Sequence, residues 1–179
     1  MQLTRVGKKG LSRVVMGLLG VINRAPSVMS DTPKTEKFFN SSFPMKVDDK
    51  RRVQIPAKWR TNESGDELTL VPWETAHGMS LRAFPQARFL KMIEKIESMP
   101  DGSVERDELL RKVGRNSEQV AVDSAGRFTI PDGMLKAAGL STQAVLVGVV
   151  RVFEIWNPER FAASEASTAL GPANYRFIG

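Results

Sequence analysis

"KVDDKRRVQIPAKWR" (residues 46–60) and "AVDSAGRFTIPDGML" (residues 121–135) both read Val-Asp-x-x-x-Arg-x-x-Ile-Pro, with Asp48 and Asp123 set 75 positions apart. A pattern that recurs once at a long fixed offset marks an internal duplication. Its surroundings recur in the same order. A candidate strand ("FFNSSFPMKV" or "SEQVAV") leads into the turn, and a short alternating strand ("VQIP" or "FTIP") leads out of it. A brief helical stretch ("AKWRTN" or "DGMLKAAGL") follows, then two further strands, "ELTLVPW" and "GMSLRAF" in the first copy, "AVLVGVV" and "VFEIW" in the second. Even the exits match, "FPQARF" in one and "NPERF" in the other.

Between the copies, Phe89, Met92, Ile93, Ile96 and Met99 recur at helical spacing, with Pro85 suited to the first turn. "PDG" breaks that helix, and "SVERDELLRKVGR" predicts a second one ending near Gly114. The expected organisation is an extension over 1–41, repeat 1 over 42–87, a helical linker over 88–117, repeat 2 over 118–161 and a C-terminal tail over 162–179. Neither repeat is large enough to bury a core alone, so the two are expected to pack on each other about a pseudo-two-fold axis, sharing strands. The fold class is α+β.

The extension reads differently from the rest. "VVMGLLGVI" (residues 14–22) is a nine-residue apolar run preceded by Arg5, Lys8, Lys9 and Arg13. That is far short of the ~20 residues a membrane-spanning helix needs. It has the outline of a weak secretory signal but lacks a small-x-small cleavage site after it. The expectation is a disordered arm or a misassigned start, with Met29 as a later alternative.

Composition closes several routes. The chain of 179 residues has no cysteine, which removes disulfides, thiolate metal sites and cysteine nucleophiles. Its one histidine, His77, has no recognisable acid or nucleophile partner and reads as a solvated loop residue. There is no phosphate-cradling glycine loop and no metal-ligand spacing. The expectation is therefore no enzyme, no cofactor and no metal.

The net charge is +6, unevenly placed. Residues 1–60 hold 13 Lys/Arg against 4 Asp/Glu, and residues 61–179 hold 13 against 16. Such asymmetry points to a polyanion. Lys46, Lys50, Arg51, Arg52, Lys58 and Arg60 all fall within the first copy's turn and its flanks. A cationic turn between strands suits a two-stranded ribbon entering the DNA major groove.

The turn has its own chemistry. Asp48 and Asp123 can accept backbone N–H bonds and pair with the Arg four positions on. Gly126 before Arg127 can supply a positive φ. Arg51 takes that place in the first copy, and must either adopt the unfavourable φ or change the turn.

"VDDKRRVQIPAKWR", "VERDELLRKVGRNSEQVAVDSAGRFTIP" and "LKAAGLSTQAVLVGVVRVFEIW" together resemble the MraZ family of bacterial regulators, in the AbrB-like swapped-hairpin superfamily. The resemblance covers roughly residues 43–161. It implies tandem AbrB-like swapped hairpins and a cytoplasmic, nucleoid-associated repressor of the division and cell-wall gene cluster. It implies binding to double-stranded DNA at direct repeats upstream of the protein's own operon, by a ring-shaped homo-oligomer. Carried onto this chain, the DNA-contacting residue is Arg52, supported by Lys50, Arg51 and Lys58. Arg127 is its match in the second copy, whose bare neighbours Ser124, Ala125 and Gly126 suggest a mainly structural turn. Asp48, Asp123 and Gly126 are the turn-structuring residues. The family usually has Gly where Arg51 stands, and usually begins almost at the first strand. A different reading is a ring-forming interaction protein that binds polyanions without sequence preference. Neither a membrane nor a small-molecule substrate is expected as partner.

Overall fold

The computed structural model describes residues 37–60 and 66–167. The apolar run at 14–22 and the alternative start at Met29 lie outside them.

Among the described residues, eight strands and four helices follow in chain order. They are β1 (Ser42–Lys46), β2 (Arg52–Gln54), β3 (Glu67–Thr75), β4 (Gly78–Pro85), α1 (Gln86–Glu97), α2 (Val104–Asn116), β5 (Glu118–Ala121), β6 (Arg127–Thr129), α3 (Asp132–Ala137), β7 (Gln143–Val149), β8 (Val152–Trp156) and α4 (Pro158–Ser167). "AKW" after β2 forms a single 3-10 turn rather than an α-helix. Pro85 lies at the N-cap of α1, one position before its first turn, where an extended ψ ends β4. Ser103 caps α2 by accepting from Arg106 N, and Glu105 and Asp107 favour its positive end. That helix continues through Gly114 to Asn116.

Six strands form an antiparallel sheet in the order β1-β7-β8-β4-β3-β5, and β2 pairs with β6 as a separate ribbon. The order reads the same when β1, β3 and β4 are exchanged with β5, β7 and β8. Each hairpin, β3–β4 and β7–β8, comes from one copy, whereas β1 pairs with β7 and β5 with β3. In the ribbon, Val53 faces Phe128 at positions matching by the 75-residue offset. Pro44 is tolerated because β1 is an edge strand. Pro72 falls past the end of the β5 pairing, where that side of β3 is open.

Period-two alternation sorts the side chains onto two faces. On one, Leu70, Leu81, Phe153 and Ile155 join Val53, Phe128 and Ile130 from the ribbon in the main core. Phe39, Phe43 and Trp59 add an aromatic group around Phe153, with Phe39 and Trp59 edge to face at 5.5 Å. The opposite face carries Val71, Phe84 and Val152, covered by Phe89 and Met92 of α1. Arg82 also lies there, stacked over Trp73 at 3.7 Å and bonded to the buried Glu154.

Secondary structure runs across two of the expected segment boundaries. Phe39, within the candidate strand "FFNSSFPMKV" but before the expected repeat boundary at 42, is buried and exchanges backbone bonds with Val150. Strand addition at the β7 end extends order to residues before 42. At the other end α4 runs to Ser167, the helix that "NPERFAASEAS" predicts, and it crosses the expected boundary between repeat 2 and the tail at 161. Asn157 Oδ1 caps that helix, and nothing in "ERFAASEAS" breaks it.

Candidate nucleic-acid interface

The two turns have one geometry. Asp48 Oδ1 accepts from the backbone N–H groups of Lys50 (2.9 Å) and Arg52 (2.8 Å), while Oδ2 accepts from Arg52 Nε (2.8 Å) and Nη2 (2.7 Å). Asp123 Oδ1 accepts from Ala125 N and Arg127 N, both at 2.9 Å, and Oδ2 from Arg127 Nε at 2.9 Å. Arg51 N donates to Asp48 O and Gly126 N to Asp123 O, each at 2.8 Å. Each carboxylate therefore closes its own loop and fixes one guanidinium. The bond from the Arg52 side chain, then that from its backbone, holds Asp48 below the usual carboxylate range. For Asp123 the Arg127 backbone N–H is the larger cause. In return, Asp48 raises the pKa of Arg52.

A guanidinium has five N–H donors. Asp48 occupies two on Arg52, leaving three on a side chain that is 30% exposed. The Asp pins the group and leaves one edge free for an oxygen acceptor, with little rotamer entropy left to lose.

Arg51 keeps the turn and accepts the backbone cost, at φ +59, where Gly126 has φ +76. The tip of turn 1 thus carries the exposed Lys50 and Arg51 beside Arg52. Lys58 is not brought to it. Its ammonium bonds Ser41 Oγ at 3.0 Å and lies over the Phe43 ring. Ser41 is at the far end of β1, about 20 Å from Asp48 at ~3.3 Å per strand residue. The 3-10 turn after β2 carries Lys58 away from the loop that precedes β2.

Arg127 sits at the opposite end of the ribbon from Arg52, because β2 and β6 are antiparallel. Turn 2 has two further polar neighbours that the sequence reading did not place there. Gln54 Nε2 donates to Ala125 O at 3.1 Å. Arg60 lies across Gly126, and a Cβ on that glycine would be 2.6 Å from Arg60 Cδ and 2.7 Å from Nε. Nothing local in the sequence signals either contact. Only the 75-residue offset, combined with the ribbon register, brings residues 54 and 60 to turn 2.

His77 is in the β3–β4 turn, not in either Asp turn, and its Nε2 lies 2.9 Å from Ser167 Oγ at the end of α4. Among the described residues no group of three or more His, Asp or Glu could hold a metal ion. Nor is any helix of those residues long and apolar enough to cross a membrane.

Fold and site together define an α+β protein that mounts two Asp-pinned arginine turns at the ends of one β-ribbon. Known proteins resemble this chain in sequence. A family model described as MraZ protein matches residues 115–171. The protein named Transcriptional regulator MraZ from Leuconostoc mesenteroides is 33% identical over 131 residues, covering 73% of this chain and 89% of the relative. Proteins of the same name from Caulobacter vibrioides and Corynebacterium kroppenstedtii are each 31% identical. They match over 128 residues (72% of this chain, 82% of the relative) and 136 residues (76% and 92%). This chain belongs to the MraZ family. These relatives are named as transcriptional regulators and not as enzymes.

Proposed function

We propose that this chain is a sequence-specific DNA-binding transcriptional regulator that acts as a repressor. The observation that carries the reading is Arg52, pinned by Asp48 at the tip of an exposed turn with Lys50 and Arg51 beside it. A fixed guanidinium suits bidentate contact with guanine or phosphate, and flexible neighbouring cations suit phosphates. The names of the relatives support the regulatory role.

On the family resemblance, the target is a set of direct repeats upstream of the protein's own operon, in the division and cell-wall gene cluster. The β1–β7 and β5–β3 pairings agree with two tandem swapped hairpins that fold as one unit. A ring of several copies would present turn 1 repeatedly to consecutive DNA repeats, in the cytoplasm at the nucleoid.

Fluorescence anisotropy on a duplex from upstream of the gene, and on a scrambled duplex of equal length, tests the reading. Specific binding should exceed non-specific binding by roughly a thousandfold or more. Arg52→Ala should sharply reduce the preference while leaving the oligomer intact. Equal, salt-sensitive binding to both duplexes would favour a polyanion-binding interaction protein instead.

A further inference from the structure

The two turns differ in where their extra charge comes from. Turn 1 bears Lys50 and Arg51 itself. Turn 2 reads Ser124, Ala125 and Gly126, with no charge before Arg127. Yet a guanidinium lies over it. Arg60, which follows the first copy's 3-10 turn, donates from Nε to Ile55 O at 2.7 Å, and its Cδ and Nε pack on Gly126. Under the 75-residue offset the counterpart of Arg60 is Leu135, and that of Arg51 is Gly126. The extra guanidinium is thus built into the turn in one copy and laid across it in the other. Gly126 makes this possible, since any Cβ there would displace Arg60.

We propose that Arg60 is the phosphate-binding cation of turn 2, so that this turn contacts the DNA backbone with a charge supplied by the first repeat. The inference rests on the DNA-binding reading above. Among the described residues, Nε is the one side-chain donor of Arg60 that is engaged, and no carboxylate pairs with the group. The four N–H bonds on its two Nη atoms have no partner among the described residues and suit a phosphate oxygen. Gln54 holds Ala125 O, and Asp123 holds Ala125 N, so the tip under Arg60 is fixed from both sides.

The spacing fits the same partner. Arg51 O accepts from Ile130 N, and Gly126 O accepts from Ile55 N, so the two tips mark opposite ends of the ribbon. Four residues along β2 separate these points, about 13 Å at ~3.3 Å per residue. The major groove of B-DNA is ~12 Å wide. A ribbon seated in it with turn 1 at one wall brings turn 2 to the other. Arg60 then adds backbone affinity without reading sequence.

The test is a salt series between 50 and 200 mM on the upstream and scrambled duplexes, using the full chain and three variants. Each phosphate contact contributes about 0.9 to the slope of log K against log salt. Arg60→Gln should therefore lower the slope by about 0.9 on both DNAs. That corresponds to about 3.5-fold less affinity lost across the series. Arg60→Lys should keep the slope. Ala125→Glu leaves the turn's backbone bonds in place and sets a negative charge next to Gly126, on which Arg60 packs. It should weaken binding to both duplexes with an unchanged melting temperature, and it decides the matter should Arg60→Gln fail to fold. Wild-type slope and affinity in a correctly folded Arg60→Gln or Ala125→Glu protein would overturn the inference. If wild type binds and Arg52→Ala weakens it while these variants do not, only the role of Arg60 falls. If wild type binds neither duplex, the DNA-binding reading falls with it.

Discussion

Replacing Arg51 by glycine should make the protein more stable while weakening its hold on DNA. Arg51 lies at φ +59, in the left-handed region that costs a residue with a Cβ about 1–2 kcal/mol. Glycine removes that cost but returns about 0.4–1 kcal/mol through the freedom it gains in the unfolded chain. The net gain is about 0.5–1 kcal/mol, or ~2–5 °C in melting temperature for a domain of this size. Loss of side-chain contacts takes little away, because Arg51 is exposed and its backbone bonds to Asp48 O and Ile130 N do not need the side chain. Arg51→Ala is the control. It keeps a Cβ at the same φ and should match wild type to within about 0.5 kcal/mol. Urea denaturation of the three proteins at one concentration reads the difference, and the anisotropy salt series reads the lost cation. Arg51→Gly less stable than wild type, or Arg51→Ala equally stabilised, would refute the claim that backbone strain is accepted here for charge.

The reciprocal change, Gly126→Ala, should destabilise by about 1–2 kcal/mol through φ +76 alone, and should also push Arg60 off Ile55 O; urea midpoints measure the first effect. Asp48→Asn should lower stability at neutral pH but converge on wild type in acid. The depressed pKa of Asp48 stabilises the folded chain above the ordinary carboxylate range, and this is lost as pH falls below about 4. A gap in urea midpoints that stays constant from pH 7 to pH 3 would contradict this. On the opposite face of the sheet, Arg82→Ala leaves the Glu154 carboxylate bonded only to Trp156 Nε1, at a cost of about 3 kcal/mol. Adding Glu154→Gln should recover part of it in a thermal melt.

The element order was legible because each strand is short, alternating and bounded by turn residues, and because a second copy supports every assignment in the first. The turns were legible for a related reason: an Asp that bonds backbone two and four residues on is local chemistry, and local chemistry is written in adjacent letters. The cost at Arg51 could be read the same way. What lay beyond reach depends on register between distant strands. Lys58 belongs to the same run of cations as Arg52, yet one 3-10 turn sends it to Ser41 and Phe43. Arg60 was counted in that run without a partner, since its partner is a glycine in the other copy. Phe39 falls in the candidate strand "FFNSSFPMKV", but its partner Val150 belongs to the other copy. The Arg82–Glu154 pair needed the β4–β8 register to be seen at all.

The exchanged pairing of β1 with β7 and β5 with β3 also bears on how the chain is made. On the ribosome the first half emerges with β1, β2 and the outer edge of β4 all lacking their partners, and only the β3–β4 hairpin can close. Each later strand then completes a strand already waiting. Productive folding is thus deferred until β8 is released, and long-range closure of this kind is slow. Through that interval the exposed edges are open to the same strands of a neighbouring nascent chain. The α1–α2 pair that tethers the halves keeps the correct partner at a higher local concentration than any neighbour, and so biases the exchange towards one chain rather than two.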